Sequence, residues 1–391
     1  MKKFISVLIR SIVIGLTMLF FTNTLIAQQT CNDEGIMKTK GSWKKKADAN
    51  TFPDPDFPRT KFPEVYSRID KMQKLLQSAY PEPLGIEASW YRSITGKAQQ
   101  SGGPVPYTLT ALFLAYFCNT YENKIQPGGE TGTWFYIWAN QLSNWFAEYV
   151  KFYIIQKQPV YLLQKRAGEI RGYPVYEGND NQTSNTGSRY SRAIIITREK
   201  ESPYIPVTQK QFLKAFLNYN EKKHIKTIEF EKNRVVKSAA EEELEKQKYL
   251  ETLERITPPA KLAKAKEDFL KNYVSSAQQK QNTISMLNAS HEKEMKPARL
   301  ILADSLTTPL DQPAILDYNN LLEFKEFSTI NTGGRELVRL NPEYYDMSLP
   351  KYNPQFLIVY WSWDDKLPTK TWRNQLEQNF NFNALKEMID K

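Results

Sequence analysis

The 391-residue sequence has few of the residues on which enzyme active sites most often depend. It contains two histidines and two cysteines, which excludes a four-thiolate zinc site and a disulfide-dense scaffold. Its 16 glycines form no Walker loop and no dinucleotide-binding pattern. The Gly-x-Ser-x-Gly elbow of serine hydrolases and the His-Glu-x-x-His helix of zinc proteases are also missing from the sequence. No cofactor is therefore predicted, and no catalytic class is indicated.

The composition does support folded domains. Hydrophobic residues make up 41% of the chain and aromatic residues 13%, and the length corresponds to two or three domains. The 53 Lys and Arg residues against 43 Asp and Glu residues give a formal net charge of +10. Because this excess is spread along a long chain and forms no concentrated basic face, no nucleic-acid partner is expected.

The first residues predict export. Basic residues within the first ten precede an apolar run over residues 11–21, and a short segment then ends at Ala27. This order is typical of a signal peptide, residues 1–27, and predicts a mature extracytoplasmic chain beginning near Gln28. The alternative is an uncleaved anchor, but the apolar run is shorter than the about 20 residues of a transmembrane helix. No membrane span is predicted after cleavage.

The two cysteines, Cys31 and Cys118, would then lie in an oxidising compartment, where disulfides persist. A disulfide between them is one prediction, because only one pairing exists. The alternatives are a reactive thiol, a metal ligand, or a buried Cys118, since this residue follows an apolar run.

Hydrophobic periodicity predicts an α+β fold: a small mixed or antiparallel sheet with packed helices, plus a long antiparallel helical hairpin that resembles a coiled-coil arm. The hairpin is expected to be an insertion in one discontinuous body. After the signal peptide, the predicted divisions are an extended Pro-rich segment (28–61), the first part of the body (62–206), the helical arm (207–296), and C-terminal strands and helices completing the body (297–391).

Within the body, helices are predicted over residues 63–79, 108–124 and 133–157, and a loop over 90–106. For 108–124 the alternative is a strand buried on both faces, and the helix is preferred because the apolar run is long. Later segments predict strands, joined in one sheet, and two terminal helices: strands 160–163, 173–176, 192–197, 336–340 and 355–363, and helices 369–380 and 384–390.

In the arm, helices are predicted over 208–256, with a break near 224–230, and over 261–294, with a corner at Thr257–Pro259. His224 and His291 lie at nearly equal distances from this corner, so an antiparallel hairpin would place the two rings at equal height. With a nearby acid they could hold a metal or form a pH-sensitive clasp; the competing interpretation is two packed neutral rings.

Ligand-binding candidates lie at the end of the strand predicted over 355–363: Trp361, Trp363, Asp364 and Asp365. Exposed indole rings can stack on sugar rings, although aromatic side chains dominate buried cores as well. The two acids could serve catalysis, but they are also common turn and capping residues.

The sequence thus favours an exported, non-enzymatic envelope or binding protein. Its partner would be a protein contacted by the helical arm, or a glycan at an aromatic patch. The alternative is a secreted or periplasmic hydrolase that uses carboxylates on a glycan or peptide.

Overall fold

The computed structural model describes residues 31–51, 57–95, 102–129, 132–143, 146–178, 182–184, 187–199, 201–304 and 309–391. The predicted signal peptide lies outside these residues. In the described part of the chain, no helix is long and apolar enough to cross a membrane. The chain forms two compact units: unit 1 comprises Met1–Phe146, Arg166–Pro203 and Pro342–Lys391, and unit 2 comprises Ala147–Lys165 and Tyr204–Asn341.

The described residues form a mixed fold, which confirms the predicted combination of helices and sheet. The strands are, in chain order, β1 Trp43–Lys45, β2 Ala49–Thr51, β3 Ile86–Thr95, β4 Tyr107–Asn119, β5 Lys124–Pro127, β6 Trp134–Ala139, β7 Ala147–Ile155, β8 Gln158–Leu163, β9 Arg166–Ile170, β10 Tyr173–Glu177, β11 Gln182–Ser184, β12 Gly187–Ile196, β13 Tyr204–Pro206, β14 Ile315–Leu316, β15 Arg335–Leu340 and β16 Leu357–Asp364. The α-helices are α1 Asp33–Lys38, α2 Phe62–Ala79, α3 Gln209–Asn233, α4 Ala239–Ile256, α5 Pro259–Asn272, α6 Ser276–Ala303, α7 Leu367–Asn379 and α8 Phe382–Lys386.

Unit 1 is built on an 11-stranded sheet with the central order β1-β3-β4-β6-β16-β12-β10-β9. Strand β16 lies between β6 and β12 and is antiparallel to both. Helices α2 and α7 pack on one face of this sheet. Their core includes Trp361, Trp372 and Phe113, all without exposed surface. Burial of such large rings is the main source of stability in this unit.

The segment before α2 is more ordered than the extended chain that its prolines predict. It contains the short helix α1, and β1 and β2 both pair in parallel with β3. The structure also joins Cys31 to Cys118 in a disulfide, with 5.3 Å between the Cα atoms. Side-chain bonds add to this attachment, since Arg92 on β3 donates to both carboxylate oxygens of Asp48.

Two predicted helices of the body and one predicted loop are wrong. Residues 108–124 form most of β4, a turn and the first residue of β5, residues 133–157 contain β6 and β7, and the start of 90–106 belongs to β3. In β4 the alternate residues from Tyr107 to Ala115 face the core, while Thr108 and Thr110 are buried on the other face. Burial on both faces produces a long apolar run without strict alternation. The preference for a helix, which rested on the length of the apolar run, was therefore wrong, and the segment is a 13-residue strand.

Unit 2 has its own five-stranded sheet, with the order β13-β15-β8-β7 and β14 paired to β15. The predicted single small sheet is thus two sheets, because β8 and β15 pair in unit 2 whereas β12 and β16 pair in unit 1. The first turns of α3 and the end of α6 cover the unit 2 sheet. They contribute Phe212, Phe216 and Met295 to a second core.

The predicted arm consists of four helices, α3 to α6, and not of two continuous ones. The corner at Thr257–Pro259 is confirmed, since α4 ends at Ile256 and α5 begins at Pro259. The break in the first helix is at 234–238 and not near 224–230, and a second break lies at 273–275. We call residues 209–303 the helical segment. Within it, α3 packs on α6 and α4 packs on α5.

Helix α6 also continues past Pro297, which was expected to end it. An interior proline removes a backbone hydrogen bond and costs about 3 kcal/mol. Here the turns around it are held by tertiary packing, because Met295 and Ala298 are buried in the unit 2 core.

Candidate functional site

The tryptophans proposed as surface platforms are not at the surface. Trp361 is 0% exposed and Trp363 is 7% exposed. The indole of Trp361 donates to Glu377, and Arg192 donates to the same carboxylate. The ring of Trp363 stacks on that of Tyr190, with 5.7 Å between the centroids, and the guanidinium groups of Arg192 and Arg373 lie over it. Both rings therefore contribute to packing between β16 and α7, and neither forms an exposed stacking surface for sugars.

The two acids after these tryptophans order the turn into α7. Asp364 accepts from the Thr369 hydroxyl at 2.6 Å and from the backbone N–H of Lys366. Asp365 accepts from the backbone N–H of Ser188, and its hydrogen bond with Lys370 lowers its pKa. A carboxyl held ionised in this way is unsuited to act as a general acid. The turn-forming interpretation accounts for the contacts of Asp364, whereas Asp365 links β12 to α7.

An aromatic row on β6 was not predicted. Trp134, Tyr136 and Trp138 project from one face of this strand, with neighbouring ring centroids 5.8 Å and 4.7 Å apart and nearly parallel planes. Tyr360 on the adjacent strand β16 contacts the last two rings. Because the rings stack on each other and Trp138 is buried, the row packs the second face of the sheet.

The equal height predicted for the two histidines is confirmed. The ring centroids of His224 and His291 are 4.0 Å apart, with an angle of 2° between the planes. The Nε2 atom of His224 is 3.0 Å from Asn288 Oδ1, and that of His291 is 3.0 Å from Glu221 Oε2. The contact with His291 lowers the pKa of Glu221. The pair thus joins α3 to α6.

The histidine pair does not extend to a metal centre. Among the residues that the structure describes, no group of three His, Cys, Asp or Glu side chains is placed to hold a metal ion. Two ligands alone rarely make a site, because zinc in proteins takes three or four.

The helical segment contains a groove with a volume of about 890 Å³. We call it the mid-segment groove. Its floor is aromatic: Tyr249 of α4 stacks on Phe269 of α5 at 4.2 Å, and Phe269 meets Tyr273 edge to face at 5.8 Å. The groove lies at the breaks of the two predicted long helices and is lined by residues of both breaks and of three helices.

The groove exists because helix ends converge there. Ser238 and Glu241 form a capping box at the start of α4, and Ser275 caps the start of α6. The Glu242 carboxylate accepts from both the backbone N–H and the hydroxyl of Ser276, at 2.6 and 2.7 Å, which lowers its pKa. These caps satisfy backbone N–H donors at the helix starts and fix where α4 and α6 begin. The gap that they leave becomes the groove.

The rim of the groove is apolar and its charges are paired. Val235 is 93% exposed and Met286 is 69% exposed, both unusual for such side chains. Lys237 binds Glu245 at 2.6 Å, and this ion pair raises the pKa of Lys237. Arg234, the third charged residue that lines the groove, pairs with Glu231 at 3.0 Å. The chemistry of the groove therefore suits apolar and aromatic groups better than a charged small ligand.

Two features of the sequence could have located this groove. Val235 and Val236 are adjacent β-branched residues in a stretch otherwise rich in helix formers, and Ser238 begins a Ser-x-x-Glu capping box. Together they mark the end of one helix and the start of the next.

Comparisons with protein-family models, with curated proteins and with solved structures found no match for this chain.

Proposed function

We propose that this protein is an exported, non-enzymatic envelope or binding protein, and that its mid-segment groove binds a protein partner. The observation that carries the proposal is the aromatic floor of Tyr249 and Phe269 below an apolar rim. Contiguous apolar surface on a soluble fold marks interaction sites. Hot spots in protein interfaces are enriched in such aromatic side chains.

The helical segment suits this role because α4 and α5 contribute no residue to a buried core. Neither α4 nor α5 has a buried residue. A helix pair of this kind leaves apolar side chains available, such as Leu244 at 51% exposed and Leu270 at 54% exposed. An apolar helix or side chain of a partner would gain about 25 cal/mol for each Å² that it removes from water.

The hydrolase alternative has weaker support. Asp364 accepts hydrogen bonds within the turn before α7, and Asp365 is engaged by the backbone N–H of Ser188 and by Lys370. Paired catalytic carboxylates need a space between them for a sugar and a water.

Site-specific photocrosslinking in intact cells of the source organism tests the proposal. A photoreactive phenylalanine at Val235 is expected to give one discrete adduct, because this side chain lies at the groove rim. The matched control is the same amino acid at Lys248, which is exposed on α4 but does not line the groove.

The proposal fails if position 235 gives no adduct, or if both positions give the same pattern. Mass spectrometry of the adduct then identifies what was captured. The same measurement reports the N-terminal peptide: a mature chain beginning near Gln28 supports export, and an intact leader contradicts it.

A further inference from the structure

We propose that the partner in the mid-segment groove is a second copy of this chain, bound about a two-fold axis with the two helical segments antiparallel. The inference rests on the proposed function, since it names the occupant of the same groove. Two features of the helical segment carry it: an exposed aromatic side chain beside the groove, and an uneven charge distribution along the segment.

The side chain is Phe230, which is 76% exposed near the end of α3. Residues four apart lie on the same face of a helix, so Phe230 shares its face with Arg234, which lines the groove. A knob and a hole that are adjacent on one surface are self-complementary under two-fold symmetry. Phe230 of each copy then enters the groove of the other copy and meets its Tyr249 and Phe269.

The charges favour the same arrangement. Helix α4 carries six Glu and three basic residues, whereas α3 and α6 together carry ten basic and five acidic residues. Within one copy α3 packs on α6, and α4 packs mainly on the weakly basic α5, with α6 meeting it at Glu242 and Ser276. A parallel pair would place like charges together, while an antiparallel pair places α4 of one copy beside α3 and α6 of the other.

The register follows from the chain. Lys222 on α3 and Glu243 on α4 lie on either side of the break at 234–238, and both are exposed. The proposed two-fold axis lies near this break and brings α3 with Lys222 of one copy beside α4 with Glu243 of the other, twice in each dimer. The complementary charges select the antiparallel orientation, and the buried aromatic contacts supply most of the affinity.

Sedimentation velocity of the purified full chain over a range of concentrations tests the inference. The expected result is a reversible monomer–dimer equilibrium. Phe230→Glu is expected to raise the dimer dissociation constant by at least about tenfold, the effect of losing one hot-spot side chain. Because Phe230 is exposed, circular dichroism of this variant is expected to match that of the parent chain.

The matched control is Tyr121→Glu, which changes another exposed aromatic residue to the same acid in a turn outside the helical segment and leaves the dissociation constant unchanged. Lys222→Glu and Glu243→Lys each weaken the dimer, and the two together restore it, because every contact is then reversed. A chain that stays monomeric at all concentrations overturns the inference, as does a double variant weaker than either single one. If Val235 nonetheless crosslinks to a different protein, the proposed function stands without the dimer.

Discussion

Strand β16 and helix α4 hold their conformations in opposite ways. Seven of the eight residues of β16 are buried, and those facing the helices pack on α7. None of the 18 residues of α4 is buried, and its start depends on the capping box of Ser238 and Glu241. Unit 1 is thus stabilised by packing of aromatic side chains, and the outer helical segment by local hydrogen bonds and ion pairs.

This difference shows which apolar residues carry stability and which remain available. The ring centroid of Trp372 on α7 lies 4.4 Å from that of Phe113, and Trp372 has no exposed surface. The apolar side chains of α4 and α5 contact mainly each other across one helix pair. Substitutions in the two regions should therefore differ in size and in the property that they change.

The largest contrast is expected between Trp372→Ala and Leu244→Ala. The first removes a fully buried indole and should lower the free energy of unfolding by about 3–5 kcal/mol. The second shortens a half-exposed side chain on α4 and should change the free energy of unfolding by less than about 0.5 kcal/mol. Denaturant unfolding followed by fluorescence measures both. Equal losses would show that the helical segment is as tightly packed as unit 1.

Loss of the disulfide is expected to have the next largest effect. Cys31 and Cys118 are separated by 87 residues, and removing a bond that closes such a loop costs about 2–4 kcal/mol. Cys118→Ser and Cys31→Ser should lower the unfolding free energy equally, because they remove the same bond. A parent chain whose stability is unchanged by reductant would contradict this expectation.

Asp48→Asn should have a smaller effect that depends on pH. Arg92 donates to the Asp48 carboxylate and lowers its pKa, and the two side chains are 14% and 21% exposed. A carboxyl with a lowered pKa in the folded state stabilises the fold above the unfolded-state pKa of about 4, and this contribution is lost as the pH falls.

The variant is thus expected to lose about 1–3 kcal/mol at pH 7, and the difference from the parent should shrink as the pH falls through the lowered pKa of Asp48. Urea titrations at several pH values measure it. Asp70→Asn is the control, because Asp70 is more exposed and its contact with Arg92 is longer, at 3.4 Å. A loss that is the same at all pH values would refute the role of the Asp48 charge.

The smallest effect is expected for Ser238→Ala, which removes the N-cap of α4 at a cost of about 1 kcal/mol. Hydrogen exchange should then become about fivefold faster in residues 239–256 and stay constant in β16. Ser290→Ala, in the interior of α6, is the control that removes no cap. Faster exchange in β16 as well would mean that the two regions unfold together.

The sequence predicted the elements whose pattern matches their burial. Helix α2 and strand β16 were correct because each has the periodicity that its environment requires. Strand β4 was wrong because burial on both faces removes the alternation that identifies a strand. The histidine contact was predicted from equal distances to a proline corner, a geometric argument that does not depend on where the helices break.

The mid-segment groove could not be predicted to the same extent. Its lining combines two helix breaks and parts of three helices, and its residues are brought together by packing of α4 on α5 and by the bonds of Lys237 and Glu242 to Ser276. Periodicity indicates which face of a helix is apolar, but it does not say whether that face is covered. The exposure of Val235 and Met286 is a property of the folded chain.

The two breaks of the helical segment also have a mechanical consequence. Residues 234–238 and 273–275 lie side by side, joined where the N–H of Lys237 donates to the Ser276 hydroxyl. Lys280 donates to the carbonyl oxygens of Lys232 and Arg234 just below this level. Neighbouring breaks at one level define a line of flexure, because bending there strains a few exposed hydrogen bonds while the helices on either side stay rigid. The position of α4 and α5 relative to α3 and α6 is therefore set by the few hydrogen bonds at this level.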